Sequence, residues 1–146
     1  MARIHIDLPS VVHFNTEIPV RITDINYGGH LANDALLGII HEARAQFYLH
    51  YGYEESNIEG VSTIMADAAI QFKAEVFYGD TLLVSIAAAE FMRVSYDLYY
   101  SFVSKKTQQE VARAKTHLVF YDYDQKRIRA IPRAFQRLFV SPVTIV

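Results

Sequence analysis

Only one long stretch of this chain has helical periodicity, and segments of strand-like alternation lie on both sides of it. Between residues 34 and 51, Leu36, Ile39, Ile40, Ala43 and Phe47 recur at helical spacing and form one apolar stripe. Asp34, His41 and Ala45 fall on the opposite side, and Glu42 and Gln46 lie off the stripe. No proline interrupts the stretch, and Gly52 is a natural stop. A helix of this length spans about 27 Å. It needs a broad apolar surface to rest on.

The rest of the chain supplies that surface. Phe14, Thr16, Ile18, Val20 and Ile22 alternate with polar neighbours over residues 13–23, and Pro19 there suggests an edge or a bulge. Residues 61–73, 81–93, 95–104 and 110–122 also read as strands. Leu82, Val84, Ile86 and Ala88 mark one face, as do Tyr96, Leu98, Tyr100 and Phe102, and Ala112, Ala114, Thr116, Leu118 and Phe120. Tyr78-Gly79-Asp80 and the polar run Lys105–Gln109 are turns, and short connections favour antiparallel neighbours. Asp122 to Lys126 is expected to end the sheet, and residues 133–139 to form a short terminal helix. Residues 1–12 read as an irregular arm. The expectation is an α+β fold, one long helix on a five-stranded antiparallel sheet, in a single domain over 1–146. The opposite sheet face, assigned Met65, Ala69, Leu83, Ala87, Phe91, Val103 and Val119, is too apolar to be simply wet, which suggests a homo-oligomer.

The helix entry concentrates polar chemistry. Asp24, Asn26, His30, Asn33 and Asp34 fall within eleven residues, around Gly28-Gly29. The glycines permit backbone angles closed to other residues, and Asn33 or Asp34 can cap the helix. Free N–H groups in a first helical turn can polarise a carbonyl or hold an anion. Asp24 is either an acid or base, or a turn carboxylate holding Arg21. His30 either titrates near neutral pH or packs. Asp67 is a lone charge in the apolar run Ile64–Ile70, so it must be hydrogen-bonded, shifted in pKa or at an interface, with Arg44 or Arg113 as structural partners. Glu42 either faces solvent or serves as a base.

The composition narrows the alternatives. A net charge of -2 gives no electrostatic footprint for nucleic acid or an anionic membrane. The absence of cysteine removes disulfides, thiolate metal sites and a cysteine nucleophile. No His, Asp or Glu spacing makes a metal site. The N-terminal residues lack the pattern of a signal peptide, and no apolar run spans a bilayer, so a cytoplasmic protein is expected.

Four landmarks, in order, carry a family resemblance: Val20-Arg21-x-x-Asp24-x-Asn26-x-x-Gly29-His30-x-x-Asn33; Glu42-Ala43-Arg44; Phe72 to Asp80; and Arg93-Val94-Ser95. Over residues 13–135 the chain resembles the hotdog-fold acyl-CoA thioesterases of the 4-hydroxybenzoyl-CoA thioesterase-like group. The resemblance implies a site between two subunits of a dimer or dimer of dimers. It implies an acyl-CoA substrate, no further cofactor, a carbonyl polarised by helix N–H groups near Asn33, and Arg93 near the phosphates of CoA. The family's catalytic carboxylate falls at Asn26, whose neutral amide is no base. The base is then sought at Asp67, Glu42 or Asp24, with Asn26 orienting water or carbonyl, and His30 and Gly29 beside it. Two other outcomes stay open: a hotdog module that binds acyl-CoA without turnover, and an enoyl-CoA hydratase. Hydratases of this fold resemble Asp-x-Asn-Pro-x-His, but here Tyr27 replaces the proline and His30 comes one residue late.

Overall fold

Strand alternation sorts the two sheet faces much as the periodicity predicts. The structure is a computed structural model that describes residues 3–140. Strands β1 (Phe14–Pro19), β2 (Ser62–Phe72), β3 (Thr81–Ala89), β4 (Ser95–Ser104) and β5 (Glu110–Asp122) form one antiparallel sheet in the order β1-β3-β4-β5-β2. Helix α1 (Asn33–His50) follows β1, and a four-residue α2 (Arg133–Gln136) closes the described chain. No helix among the described residues is long and apolar enough to cross a membrane.

The predicted stripe of α1, Leu36, Ile39, Ile40, Ala43 and Phe47, is buried against the predicted strand faces, including Val84, Ile86, Leu98, Tyr100, Ala114 and Phe120. Each Val, Leu, Ile or Phe among them contributes about 1.5–3 kcal/mol when fully buried. α1 also buries Arg44, off the stripe. Its guanidinium bonds Glu55, and its charge survives burial because the Tyr100 hydroxyl and Glu55 outweigh the desolvation that opposes it. Deeper in the core, the hydroxyls of Tyr48 and Tyr96 bond each other, and Tyr100 bonds Thr116 at 2.8 Å.

Several boundaries differ from the sequence expectation. β1 stops at Pro19, on the sheet edge, because the Asp24 carboxylate pulls Ile22–Asp24 into a 3₁₀ turn. β3 stops at Ala89, since Glu90 turns at φ 53°. The sheet does not end after Asp122. An Asx turn, in which Asp122 accepts the N–H groups of Asp124 and Gln125, brings back a two-residue strand, β6 (Arg127–Ile128). The terminal helix is shorter than predicted, ending at Gln136.

The outer face is also covered differently. A register shift between Met65 and Asp67 places Met65 opposite core-facing Leu118, so Met65 belongs to the helix side. Phe91 stacks on Tyr96 and Phe139 and so belongs to the core end. The arm, described from Arg3 on, crosses the outer face of the sheet. Ile6 is buried there, donating its N–H to Gln71 and accepting from Arg113. Leu8, Pro9, Val11 and Val12 lie beside Ala87 and Tyr99. The chain's own arm thus covers apolar surface that the sequence reading left to a second subunit.

Candidate active site

The loop between the 3₁₀ turn and α1 is built on its own hydrogen bonds. The Asn26 N–H donates to the His30 carbonyl at 3.0 Å, and the Gly29 N–H to the Asn26 carbonyl at 3.0 Å. Gly29 sits at φ +87°, where a side chain is disfavoured. The Asn26 Oδ1 accepts the Gly28 N–H at 3.0 Å, which leaves the amide NH₂ for other partners. A Cβ on Gly28 would come 3.2 Å from that Oδ1, so a larger residue there would push on the Asn26 side chain, and it would make ordinary contact with His30 Nε2 at 3.6 Å. The Leu31 N–H donates to the Val76 carbonyl at 2.9 Å, tying the loop to the segment that leaves β2.

That tie brings His30 to Glu75, with Nε2 3.9 Å from Oε1. His30 Nδ1 lies 3.1 Å from the Leu31 carbonyl. A carbonyl only accepts, so Nδ1 carries a proton, and in the neutral form of the ring the lone pair falls on Nε2, the nitrogen nearer Glu75. The pocket encloses about 720 Å³ and is lined by Asn26, His30, Asn33, Asp34, Phe72 and Glu75, among others. Lys73 also lines it and is paired with Glu110 at 2.9 Å.

The start of α1 forms another wall. Ala32, and neither Asn33 nor Asp34, holds the cap position, without a side-chain cap. Asn33 turns its Oδ1 onto the Asp34 N–H at 2.8 Å instead. Among the described residues no acceptor meets the N–H of Asn33 or Ala35. These donors point out of the positive end of the helix dipole.

The structure brings Asn26, His30 and Asn33 together, with Gly29 shaping their loop, and sends the other candidates elsewhere. The Asp24 carboxylate is buried and engaged by the Arg21 N–H at 2.9 Å and by its guanidinium at 3.1 and 3.3 Å. Its carbonyl accepts the Ala32 N–H, which fixes the helix start. Glu42 lines a separate groove with Arg21, Gly38 and His41, and accepts from Gln46 at 2.8 Å. Asp67 is not enclosed. It projects from the edge strand on the outer face, 57% exposed, and pairs with Lys115 at 2.7 Å, in place of the expected Arg44 or Arg113. Arg93 is exposed in the β3–β4 connection, at the opposite end of the sheet from the pocket. Among the described residues no group of three His, Asp or Glu side chains could hold a metal ion.

Sequence reasoning missed Glu75 as a site residue and read Asp34 only as a cap. The signal for Glu75 lay inside the Phe72–Asp80 landmark. It is the one acid there before the closing Asp80, on a segment that must pass the helix entry to reach β3. In chemical terms the pocket holds an imidazole whose Nε2 accepts when the ring is neutral, a side-chain amide and unclaimed backbone donors. A carbonyl substrate can be polarised there while a water is deprotonated.

Comparison with known proteins identifies the family and the fold. Residues 20–139 match the family model described as the thioesterase-like superfamily. No curated protein matches the chain. The fold is similar to that of the 1,4-dihydroxy-2-naphthoyl-CoA thioesterase from Synechocystis (23% identity, 86% of this chain and 93% of that one covered, TM-score 0.78). It is also similar to 4-hydroxybenzoyl-CoA thioesterase from Pseudomonas sp. strain CBS-3 (17% identity, 88% and 99% covered, TM-score 0.77). A thioesterase-superfamily protein from Jannaschia sp. CCS1 overlays likewise (16% identity, 91% and 84% covered, TM-score 0.80).

Proposed function

This chain belongs to the thioesterase-like superfamily, and from that premise we propose that it hydrolyses acyl-CoA thioesters to a carboxylic acid and CoA. The observation that carries the reading is the meeting, in one pocket, of the His30 imidazole with Nδ1 engaged and Nε2 free of a direct hydrogen bond, the Asn26 amide and the unclaimed N–H groups at the start of α1. The thioester carbonyl accepts hydrogen bonds from the Asn33 N–H and the Asn26 NH₂. A water gives one proton to His30 Nε2, and its oxygen bonds to the carbonyl carbon. The tetrahedral oxyanion is held by those same donors, the interaction that is usually largest in acyl transfer. The C–S bond then breaks, and the CoA thiolate recovers the proton from the His30 imidazolium. No cofactor enters this scheme.

The pocket opens beside β2, an edge strand whose outer backbone groups have no partner strand among the described residues, next to exposed Met65, Phe72, Phe77 and Tyr78. We place a second copy of the chain along this edge, in a cytoplasmic homo-oligomer whose sites lie at the subunit interface. Arg93, at the far end of the sheet, then contacts CoA phosphate from the neighbouring subunit. Neither nucleic acid nor a membrane is part of this reading.

One observation favours a second reading. Asn26 is neutral, and a module that only binds acyl-CoA needs no base. Thiol release from a panel of short, long and aromatic acyl-CoAs, with CoA binding measured in parallel, separates the two. Turnover supports the hydrolase; tight CoA binding with no thiol release supports the binding module.

A further inference from the structure

The geometry points to Glu75 as a second catalytic residue, one that shares the attacking water with His30. This inference rests on the hydrolase reading and adds a carboxylate to it. Both side chains stand on fixed backbone. Lys73 and Ala74 donate their N–H groups to the Val111 carbonyl at 2.8 and 3.1 Å, and the Val76 carbonyl accepts from Leu31. Glu75 is therefore pinned on both sides, to β5 and to the helix-entry loop. His30 is held by the Asn26 bond to its carbonyl and by its own Nδ1 contact with Leu31.

The separation of Nε2 and Oε1, 3.9 Å, is too long for a direct hydrogen bond and suits a bridging water. An oxygen about 2.8 Å from each atom subtends an angle of roughly 90°, close to that between the two O–H bonds of water. One O–H then points at His30 Nε2 and the other at the Glu75 carboxylate. With the ring neutral both are acceptors, so the water's two O–H bonds are committed and its lone pairs are left for the carbonyl carbon. In the attack, one proton moves to Nε2, the second stays bonded to Glu75, and the oxygen forms the new C–O bond. The carboxylate also stabilises the imidazolium that results.

No cationic side chain competes for Glu75. Among the described residues its single ionic partner is His30, because Lys73 is engaged by Glu110. Asp34 is the other carboxylate in the lining. It stands in the first turn of α1, and no contact with His30 is present. Glu75 thus provides the carboxylate that Asn26 does not.

The test is steady-state thioester hydrolysis by wild type, His30→Gln, Glu75→Gln and Glu75→Asp, with folding checked by circular dichroism and CoA affinity by calorimetry. The expected result for Glu75→Gln is a kcat lower by about 10²-fold, at the lower end of general acid–base effects, with KM and CoA affinity within about threefold of wild type. Glu75→Asp should recover about a tenth of the wild-type kcat, which guards against a folding defect in the first variant. If wild type is active and His30→Gln is not, but Glu75→Gln retains kcat or changes only KM, the role of Glu75 is overturned and the hydrolase reading stands. If wild type itself releases no thiol, the reading and this inference fall together.

Discussion

Asn26 and His30 are joined through the main chain, the N–H of one donating to the carbonyl of the other at 3.0 Å. Three residues separate them, so the bond closes a small loop from which Asn26, Tyr27 and His30 line the same pocket. His30→Gln keeps that backbone bond and a ring-sized polar group but removes the basic nitrogen. We expect kcat to fall by about 10²–10⁴-fold with an unchanged thermal midpoint, read by thiol release and a melting curve.

The two glycines of this loop should fail in different ways. Gly28 does not need a positive φ, but an added Cβ would press on Asn26 Oδ1 at 3.2 Å. Gly28→Ala should lower kcat/KM several-fold with little loss of stability. Gly29 has open space around it and a φ of +87°. Gly29→Ala should cost about 1–2 kcal/mol of stability. Urea midpoints and kinetics on both variants check the contrast.

The buried hydroxyls of Tyr48 and Tyr96 bond each other inside the core. Tyr48→Phe strips Tyr96 of that partner and should cost about 1–3 kcal/mol in urea unfolding. The double variant, with phenylalanine at both positions, should cost clearly less than the sum of the two single changes, because no stranded hydroxyl remains.

Acid should loosen the end of the sheet nearest the pocket. Burial alone would raise the Asp80 carboxyl, but the Ser104 hydroxyl and the N–H groups of Thr81 and Lys106 outweigh it and hold the carboxyl below its ordinary value. Burial would likewise raise Glu110, and Arg113 with Lys73 outweighs it. A carboxyl lowered in the folded state contributes stability that is complete above its unfolded pKa, about 4, and is lost as pH falls through the lower folded value. Urea midpoints should therefore drop below about pH 4. Asp80→Asn should be less stable at pH 7 by about 1–3 kcal/mol and should lose less of its remaining stability between pH 5 and pH 3.

Much of the fold was legible because periodicity reports burial directly. The stripe from Leu36 to Phe47 and the core faces of β3, β4 and β5 were read at their observed positions. The errors share a physical cause: one residue changes the geometry and the pattern does not show it. The shift after Met65 reversed a face, the Asp24 carboxylate turned the end of β1, and Glu90 ended β3. The cover of the outer face was misread because the arm is irregular and carries no period. Of the candidate site, the cluster Asn26, His30 and Asn33 was legible as a local sequence feature. Glu75 was not, because it reaches the loop only through the Leu31–Val76 bond between distant segments. The same holds for Asp67 and Glu42, whose types suggested a base but whose neighbours, Lys115 and Gln46, only the fold reveals.

The most direct test of the central claim is thiol release by the wild-type chain across a panel of short, long and aromatic acyl-CoAs, with CoA binding measured on the same preparation. The account predicts turnover of at least one class, abolished in a folded His30→Gln variant. Intact CoA binding with no thiol release from any substrate, or unchanged turnover in His30→Gln, would contradict it.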